Sequence, residues 1–242
     1  TTGAGNTAVG DVASYSNTTG ISNVAVGRNS LNANSTGNNN TAIGRNALSA
    51  NTVSGNTAVG LSALGANTTG INNVAVGLAS NDSNTTGGNN TSTGYYSLSA
   101  NTTASYNTAY GSESLYSNTT GANNTATGYA ALYSNTTGSR NIGIGYRAMY
   151  ATTTGGDNVA NGYEALRLNT TGGDNVAVGR ATLWSNTTGT YNIAVGNYAL
   201  YNHTTGQRNT ALGDNALRTT TTGSYNTAVG KNALYANTTG AG

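Results

Sequence analysis

The chain has 242 residues, of which 35 are glycine and only 7% are charged, and it contains no proline, cysteine or phenylalanine. Large aliphatic side chains are scarce, which argues against a conventional globular core, and the absence of cysteine excludes a disulfide framework. The nine basic and seven acidic residues give a net charge of +2. They form no basic cluster, and no apolar run approaches the roughly 18 residues of a membrane helix, so neither nucleic-acid binding nor membrane insertion is predicted.

Fourteen copies of one repeat fill the chain, with the consensus N-[TVI]-A-[VI]-G-x-x-[AS]-L-x-[AS]-N-T-T-G-x-x. Successive copies begin 17 residues apart, except for one step of 16 just before Asn56. A fixed period of this length is typical of stacked-repeat proteins, so residues 1–242 are predicted to form a single repeat array. Because the chain begins and ends with the same five residues, T-T-G-A-G, the array is predicted to be a segment of a longer fibre. The repeats begin at Asn6, Asn23, Asn40, Asn56, Asn73, Asn90, Asn107, Asn124, Asn141, Asn158, Asn175, Asn192, Asn209 and Asn226.

Each repeat opens with an N-T-A-V-G segment, which predicts a short β-strand because β-branched residues alternate around a small one. The small central residue predicts a close approach to another backbone on that face. Glycine at the strand end allows a positive φ or a tight contact. The N-T-T-G segment predicts a turn, with glycine in the left-handed conformation. The predicted fold is all-β, a parallel β-solenoid or β-roll of about fourteen stacked repeats.

One sizeable apolar side chain recurs at the ninth position of the repeat, and it is predicted to fill the core of each coil. Leucine stands there in eleven repeats and methionine in a twelfth, whereas Ser14 and Asn81 are exceptions. The predicted core residues are Leu31, Leu48, Leu64, Leu98, Leu115, Leu132, Met149, Leu166, Leu183, Leu200, Leu217 and Leu234.

Stacking places the same position of neighbouring repeats about 4.8 Å apart. Identical asparagine side chains are then predicted to form hydrogen-bonded amide ladders. Opposite charges in one column weakly stabilise such a stack. The columns predict four such pairs: Asp11 with Arg28, Arg140 with Asp157, Arg147 with Glu164, and Asp214 with Lys231.

The segments Ser22–Gly27 (S-N-V-A-V-G) and Asn72–Gly77 (N-N-V-A-V-G) resemble the N-S-V-A-I-G repeat of trimeric autotransporter adhesin heads. The N-T-A-[VI]-G-x-x-A-L unit is also similar to repeats in trimeric phage tail-fibre and bacterial surface-fibre proteins. The resemblance covers nearly the whole chain and implies a homotrimeric, left-handed parallel β-roll that serves attachment. The adhesin heads have a shorter repeat, so the N-T-T-G turn corresponds to a longer loop.

The residues also favour a homotrimer, because a lone 17-residue coil encloses little apolar area to offset the entropy of ordering so many glycines. Three chains around one axis would bury a second face of each coil. The central small residues, from Ala8 to Ala228, are predicted to allow that approach. A single-chain solenoid stabilised by asparagine ladders is the alternative.

No catalytic, cofactor-binding or metal-binding residues are predicted. His203 is the only histidine and replaces the turn asparagine of its repeat, so no nucleophile–base pair with a second histidine or a cysteine exists. The sequence Gly143-Ile144-Gly145 lacks the third glycine of a dinucleotide fingerprint. Only Asp157 and Asp174 approach the pattern of calcium-binding β-rolls. The chain is therefore predicted not to be an enzyme.

The N-T-T triplets, such as Asn67-Thr68-Thr69 and Asn186-Thr187-Thr188, match the acceptor sequence for N-glycosylation. Since they recur at one predicted turn, turn chemistry explains them without glycans. Both interpretations stay open at the level of the sequence.

Aromatic residues recur in two columns, which are candidates either for packing and subunit contacts or for a ligand-binding surface. Aromatic ladders stabilise a stack, while flat ring faces suit sugar rings. One column holds Tyr116, Tyr133, Tyr150, Trp184 and Tyr201, and it reappears at Tyr235. The second holds Tyr129, Tyr146 and Tyr163.

These features together predict an extracellular structural fibre or adhesin segment, on a cell surface or a virion, that spans distance and mediates attachment. Its predicted partners are other copies of itself, as a homotrimer or stacked head to tail, and surface glycans or a host receptor. The alternatives are a self-assembling extracellular filament subunit and an ice-binding solenoid. The adjacent threonines of the turn argue against ice binding, because flat T-x-T columns are expected there.

Overall fold

The computed structural model describes residues 2–240, and these residues form fourteen three-residue strands and no helix. They divide into two compact units, Thr1–Ala122 and Asn123–Gly242, called here the first and the second unit. Within each unit the strands pair in parallel, in chain order, with one repeat per coil. The prediction of an all-β parallel solenoid is therefore confirmed.

In the first unit the parallel pairs keep equivalent repeat positions opposite each other, as where Ala25 pairs with Ala42. The register survives the 16-residue repeat, because Ala42 still pairs with Ala58. The missing residue lies in the turn, where the carbonyl of Val53 accepts from both Asn40 and Asn51. The strands are β1 (Thr7–Val9), β2 (Val24–Val26), β3 (Thr41–Ile43), β4 (Thr57–Val59), β5 (Val74–Val76), β6 (Thr91–Thr93) and β7 (Thr108–Tyr110).

The second unit repeats this arrangement with seven further strands, which also pair in parallel one repeat apart, as where Ala177 pairs with Ala194. They are β8 (Thr125–Thr127), β9 (Ile142–Ile144), β10 (Val159–Asn161), β11 (Val176–Val178), β12 (Ile193–Val195), β13 (Thr210–Leu212) and β14 (Thr227–Val229).

Backbone hydrogen bonds between coils continue beyond the strands. The amide of Leu166 donates to the carbonyl of Thr182 (2.9 Å), and that of Leu168 donates to Trp184 (3.0 Å). Leu166 itself has a φ of +54°. The residues at the ninth position of all the remaining repeats also have a left-handed backbone conformation. A left-handed backbone costs energy for residues other than glycine, and here burial of the side chain and bonding to the next coil accompany it.

The two conserved glycines of the repeat have different roles. Gly179, at the end of β11, has a φ of +129°, and a Cβ there would lie 2.8 Å from the carbonyl carbon of Gly196. The glycine of the N-T-T-G turn was predicted to be left-handed, and this prediction is wrong. Gly172 has no positive φ, but a Cβ on it would overlap the carbonyl oxygen of Gly189 and the side-chain oxygen Oδ1 of Asn169. Close packing between coils, not φ, therefore requires glycine in the turn.

Apart from the coils of Ser14 and Asn81, the core consists of one leucine or methionine and two small residues per coil. Eleven of the twelve predicted core side chains have no exposed surface. Leu234 is the exception and is 50% exposed, because no described coil follows it. The side chain of Met149 is longer than that of leucine. The central strand residue of its coil is Gly143, and a Cβ there would lie 3.4 Å from Met149 Cε, so glycine leaves space for the longer side chain.

The central small residues of the strands point into this same core. Ala160 and Ala177 are fully buried by their own coil and its neighbours. The prediction that these alanines allow a close approach between chains is therefore wrong. The strand residues on either side of them point outward instead, because side chains alternate along a strand.

Candidate interaction surfaces

The asparagine that opens each repeat ties its coil to the next one. Asn175 Nδ2 donates to the carbonyl of Gly189 in the same coil (2.8 Å) and to Asn158 Oδ1 of the preceding coil (3.1 Å). The same Asn158 Oδ1 accepts the backbone amide of Asn175 (3.0 Å). These asparagines are buried, so the repeated bonds satisfy polar groups that would otherwise destabilise the core.

The turn asparagines form a second buried ladder. Asn84 Nδ2 donates to Asn67 Oδ1 (2.8 Å) and to the carbonyl of Gly87 (2.9 Å). Asn186 makes the matching bonds to Asn169 (2.9 Å) and Gly189 (3.1 Å). Asn67 and Asn186, the acceptors of the N-T-T triplets named above, have no exposed surface. Their amides are thus engaged inside the fold, which favours the turn interpretation over glycosylation at these positions.

His203 replaces one asparagine of this second ladder. Its Nε2 donates to the carbonyl of Gly206 (2.9 Å), and Nδ1 has no hydrogen-bond partner among the described residues. Burial lowers the pKa of His203 below its ordinary value, and the bond to Gly206 opposes this shift only in part. The ring therefore acts as a neutral structural member of the turn column.

An outer strand face is formed in each unit by the first and third residues of the strands. Ile142 and Ile144 of β9 are exposed on either side of a buried Gly143, and Ile193 and Val195 of β12 are exposed in the same way. No strand of either unit carries a charged residue. Exposed apolar surface of this kind is typical of protein interaction sites.

The second unit also carries an aromatic–arginine face, which contains most of the predicted aromatic residues. Tyr129, Tyr146 and Tyr163 stack with ring centroids 5.5 and 5.1 Å apart. Tyr133 stacks on Tyr150 at 5.1 Å. Trp184 stacks on Tyr201 at 5.5 Å, also nearly parallel.

Arginines, which were not among the predicted surface residues, fill the gaps in these columns. Arg167 lies between Tyr150 and Trp184, with its guanidinium carbon 5.9 and 5.4 Å from their ring centroids. Arg218 lies in the same way between Tyr201 and Tyr235, at 5.7 and 5.9 Å. The signal was present in the spacing, because Arg167 and Arg218 stand 17 residues after Tyr150 and Tyr201.

Two further guanidiniums complete this face. Arg180 continues the column of Tyr163, with a distance of 5.7 Å to its ring centroid. Arg147 lies 5.2 Å from the Tyr146 ring and 5.3 Å from the Tyr150 ring, so it joins the two aromatic columns. Cation–π contacts of this kind hold a guanidinium in place while it keeps its charge.

Tyr116, the remaining predicted aromatic residue, belongs to the first unit. Its ring meets Tyr96 edge-on at 6.1 Å, and Tyr96 in turn meets Tyr95 edge-on at 4.4 Å. The face-to-face stacking seen in the second unit is not repeated among these three rings.

Two of the four predicted opposite-charge pairs are formed. Arg28 Nε lies 3.6 Å from Asp11 Oδ2. Arg140 binds Asp157 through two bonds of 2.6 and 2.7 Å, and this contact lowers the pKa of the Asp157 carboxyl.

The predicted pairs of Arg147 with Glu164 and of Asp214 with Lys231 are not formed among residues 2–240. Glu164 Oε1 instead lies 3.1 Å from Arg167 Nε, without an aligned N–H···O bond, and Glu164 Oε2 accepts from Trp184 Nε1 (3.2 Å). Asp214 accepts the backbone amide of Asn197 (3.0 Å).

Residues 2–240 contain no group of three histidine, aspartate or glutamate side chains placed to hold a metal ion, and no pocket. None of their segments forms a helix able to cross a membrane. Comparison with models of known protein families gives no match, and comparison with curated proteins gives none either.

Proposed function

We propose that this chain is a structural segment of an extracellular fibre or adhesin, belonging to a cell-surface or virion appendage that spans distance and mediates attachment. The observation that supports this proposal best is the outer strand face. It is uncharged in both units, and residues such as Val76 and Ile144 keep 36% and 39% of their surface exposed.

Association of three copies through this face would give each coil a second apolar core. The interior of a coil holds only one large apolar side chain, whereas each strand adds two outward residues, mostly valine, isoleucine or threonine. Burying these residues between chains would add hydrophobic stabilisation that the single coil lacks. A homotrimeric, left-handed β-roll is the arrangement that the resemblance to adhesin heads implies, and we propose it here.

Native mass spectrometry of the purified chain tests this assembly. We expect a dominant species of three times the 24.1 kDa chain mass. Replacing Ile142 and Ile193 together by lysine should shift the mass toward the single chain, because charges would enter the proposed interface. A single-chain mass for the unmodified protein would overturn the trimer.

The matched control replaces Ile21 and Ile71 by lysine. These isoleucines are 44% and 46% exposed, close to the 40% and 44% of Ile142 and Ile193, but they lie in the turns outside the strands. We expect the control variant to keep the assembly of the unmodified protein. Equal dissociation of both variants would show that the strand face is not the interface.

Ice binding is a second use of the same face that one observation favours. Threonine occupies the first position of eight of the fourteen strands, and β6 and β8 carry the full T-x-T pattern. The hydroxyl groups of the turn threonines are used within the stack, as where Thr187 Oγ1 donates to the carbonyl of Thr204 (3.1 Å), so the strand threonines are the candidates for ice binding. Thermal hysteresis by a single-chain form of the protein, whose strand face is not covered by other copies, would favour this function over attachment.

A further inference from the structure

The aromatic–arginine face of the second unit presents guanidinium groups that aromatic rings hold in place. Arg167 has the Glu164 carboxylate beside it, at 3.1 Å from its Nε, but two other arginines of the face have no acidic neighbour. Among the described residues, neither Arg147 nor Arg180 has a carboxylate oxygen within 4.0 Å. The second unit contains seven basic and four acidic residues, a net charge of +3, whereas the first contains two and three, a net charge of −1. An anionic partner is therefore favoured on the second unit.

The inner rings of these columns offer no free face to a partner. Tyr146 is covered on one face by Tyr129 and on the other by Tyr163, and the neighbouring planes are within 21° of parallel. Trp184 lies between Arg167 and Tyr201. A neutral sugar ring or an unpaired nucleobase stacks on an open aromatic face. These columns present ring edges and hydroxyl groups to solvent instead.

We propose that this face binds a linear polysaccharide that carries carboxylate groups, and this inference rests on the proposed attachment role. A guanidinium donates two parallel hydrogen bonds to a carboxylate, which suits the unpaired Arg147 and Arg180. Tyrosine hydroxyl groups both donate and accept, so they can bond to sugar hydroxyls. Arg147 and Arg180 stand two coils apart, and the coil between them carries Arg167 with its neighbour Glu164. Coils are about 4.8 Å apart, a spacing similar to the rise of one sugar residue in an extended chain.

The test compares polygalacturonate with its methyl ester, which has the same backbone without the negative charges. Titration calorimetry of the unmodified protein at low ionic strength should show binding of polygalacturonate and at least tenfold weaker binding of the ester. Binding of polygalacturonate should weaken as salt is added, because counterions are displaced from both partners. Equal affinity for the acid and the ester would overturn the proposal.

A pair of variants locates the site. Replacing Arg147 and Arg180 by glutamine should weaken binding of polygalacturonate by about tenfold for each lost guanidinium. The control replaces Arg28 and Arg45 of the first unit by glutamine, which removes the same charge from the same chain. It should leave the affinity unchanged, and an equal loss in both variants would show only a general effect of charge.

An oligothymidylate serves as the second probe. If it binds as tightly as polygalacturonate and loses affinity in the same variant, the partner is a single-stranded nucleic acid and the proposal is overturned. Native mass spectrometry of the same samples tests the proposed trimer separately from the proposed ligand. A trimer that does not bind polygalacturonate overturns the ligand alone, and a single chain that binds it overturns the trimer alone.

Discussion

In the first unit, the repeat positions that carry the aromatic–arginine face of the second unit hold mainly smaller or aliphatic residues. Leu61 and Leu78 stand at the position that Tyr146 and Tyr163 occupy in the second unit. The net charge of the two units differs in sign. Their strands, their parallel register and their asparagine ladders are nevertheless the same.

This comparison shows which positions determine the coil and which are free to vary. The asparagines, the glycines, the small residues and the leucine make the contacts inside a coil and between coils. Residues whose side chains point outward do not enter the interior of the coil, so they change between the units without changing the fold. Function is therefore expected to depend on the outward positions, in particular on those where the two units differ.

The strongest test of the shared interior replaces one core leucine in each unit. Leu48→Ala and Leu166→Ala each remove a fully buried side chain. Each should lower the free energy of unfolding by about 2–5 kcal/mol, because a cavity is left in a packed core. Urea unfolding followed by circular dichroism measures both. A loss in one unit without a similar loss in the other would contradict the equivalence of the two interiors.

Two coils of the first unit lack the leucine, those of Ser14 and Asn81, and the latter places a fully buried polar side chain in the core. Asn81 stands at the leucine position, is fully buried, and neither its Nδ2 nor its Oδ1 has a hydrogen-bond partner among the described residues. Beside it, Ser80 Oγ lies 2.6 Å from Ser92 Oγ and 2.9 Å from Ser97 Oγ. The first unit thus contains a polar site in its core that has no counterpart at Leu166 in the second.

Asn81→Leu should give this coil the apolar core side chain that most other coils have. Removing two unsatisfied buried polar atoms should raise the free energy of unfolding by about 1–3 kcal/mol. The control is Asn84→Leu, which should be destabilising, because Asn84 bonds to Asn67 and Gly87. A destabilised Asn81→Leu protein would mean that the polar site is needed for the fold of this unit.

Much of the interior could be predicted from the sequence because the same residue types recur at the interior positions of fourteen repeats. Strand position, register, the buried leucines and the asparagine ladders all follow from a fixed period and from the pairing of identical positions. Leu234 departs from the prediction because a core leucine is buried only when another coil packs on it. The residue pattern of a single repeat does not show whether such a coil follows.

The sequence predicted backbone conformation and side-chain stacking less well, for two physical reasons. Left-handed φ values are rare outside glycine, so a leucine such as Leu166 at +54° is not expected from residue preferences. The turn glycine was assigned a left-handed φ for the same reason, whereas close packing requires it. Side-chain stacking depends on ring orientation, which spacing leaves open, and this explains why Arg167 was missed between two aromatic residues.

The aromatic columns offer a smaller test of the difference between the units. Tyr146→Ala removes the middle ring of a three-ring stack and a contact of Arg147. We expect a loss of about 0.5–1.5 kcal/mol beyond that caused by a comparable unstacked ring. Tyr106→Ala in the first unit is the comparison, because Tyr106 is exposed and stacks on none of the rings described. Equal melting temperatures of the two variants would show that stacking adds no stability.

The smallest effect near neutral pH is expected at His203, which gives the second unit a buried titratable group that the first unit lacks. Its pKa is lowered in the folded state by burial, so the unfolded chain binds a proton more readily than the folded one. Stability should be complete above the ordinary histidine pKa of 6.5 and should fall as the pH drops below it. Unfolding measured between about pH 8 and pH 5 covers this range and stays above the titration of most carboxylates.

His203→Asn is the matched variant for this pH dependence. Asparagine restores the residue that most turns of the column carry, as at Asn186, and it does not titrate in this range. The loss of stability below pH 6.5 should therefore disappear in the variant, while the two proteins behave alike at higher pH apart from a constant difference. If both proteins lose stability equally as the pH falls, the titrating group lies elsewhere, and the buried imidazole is not responsible.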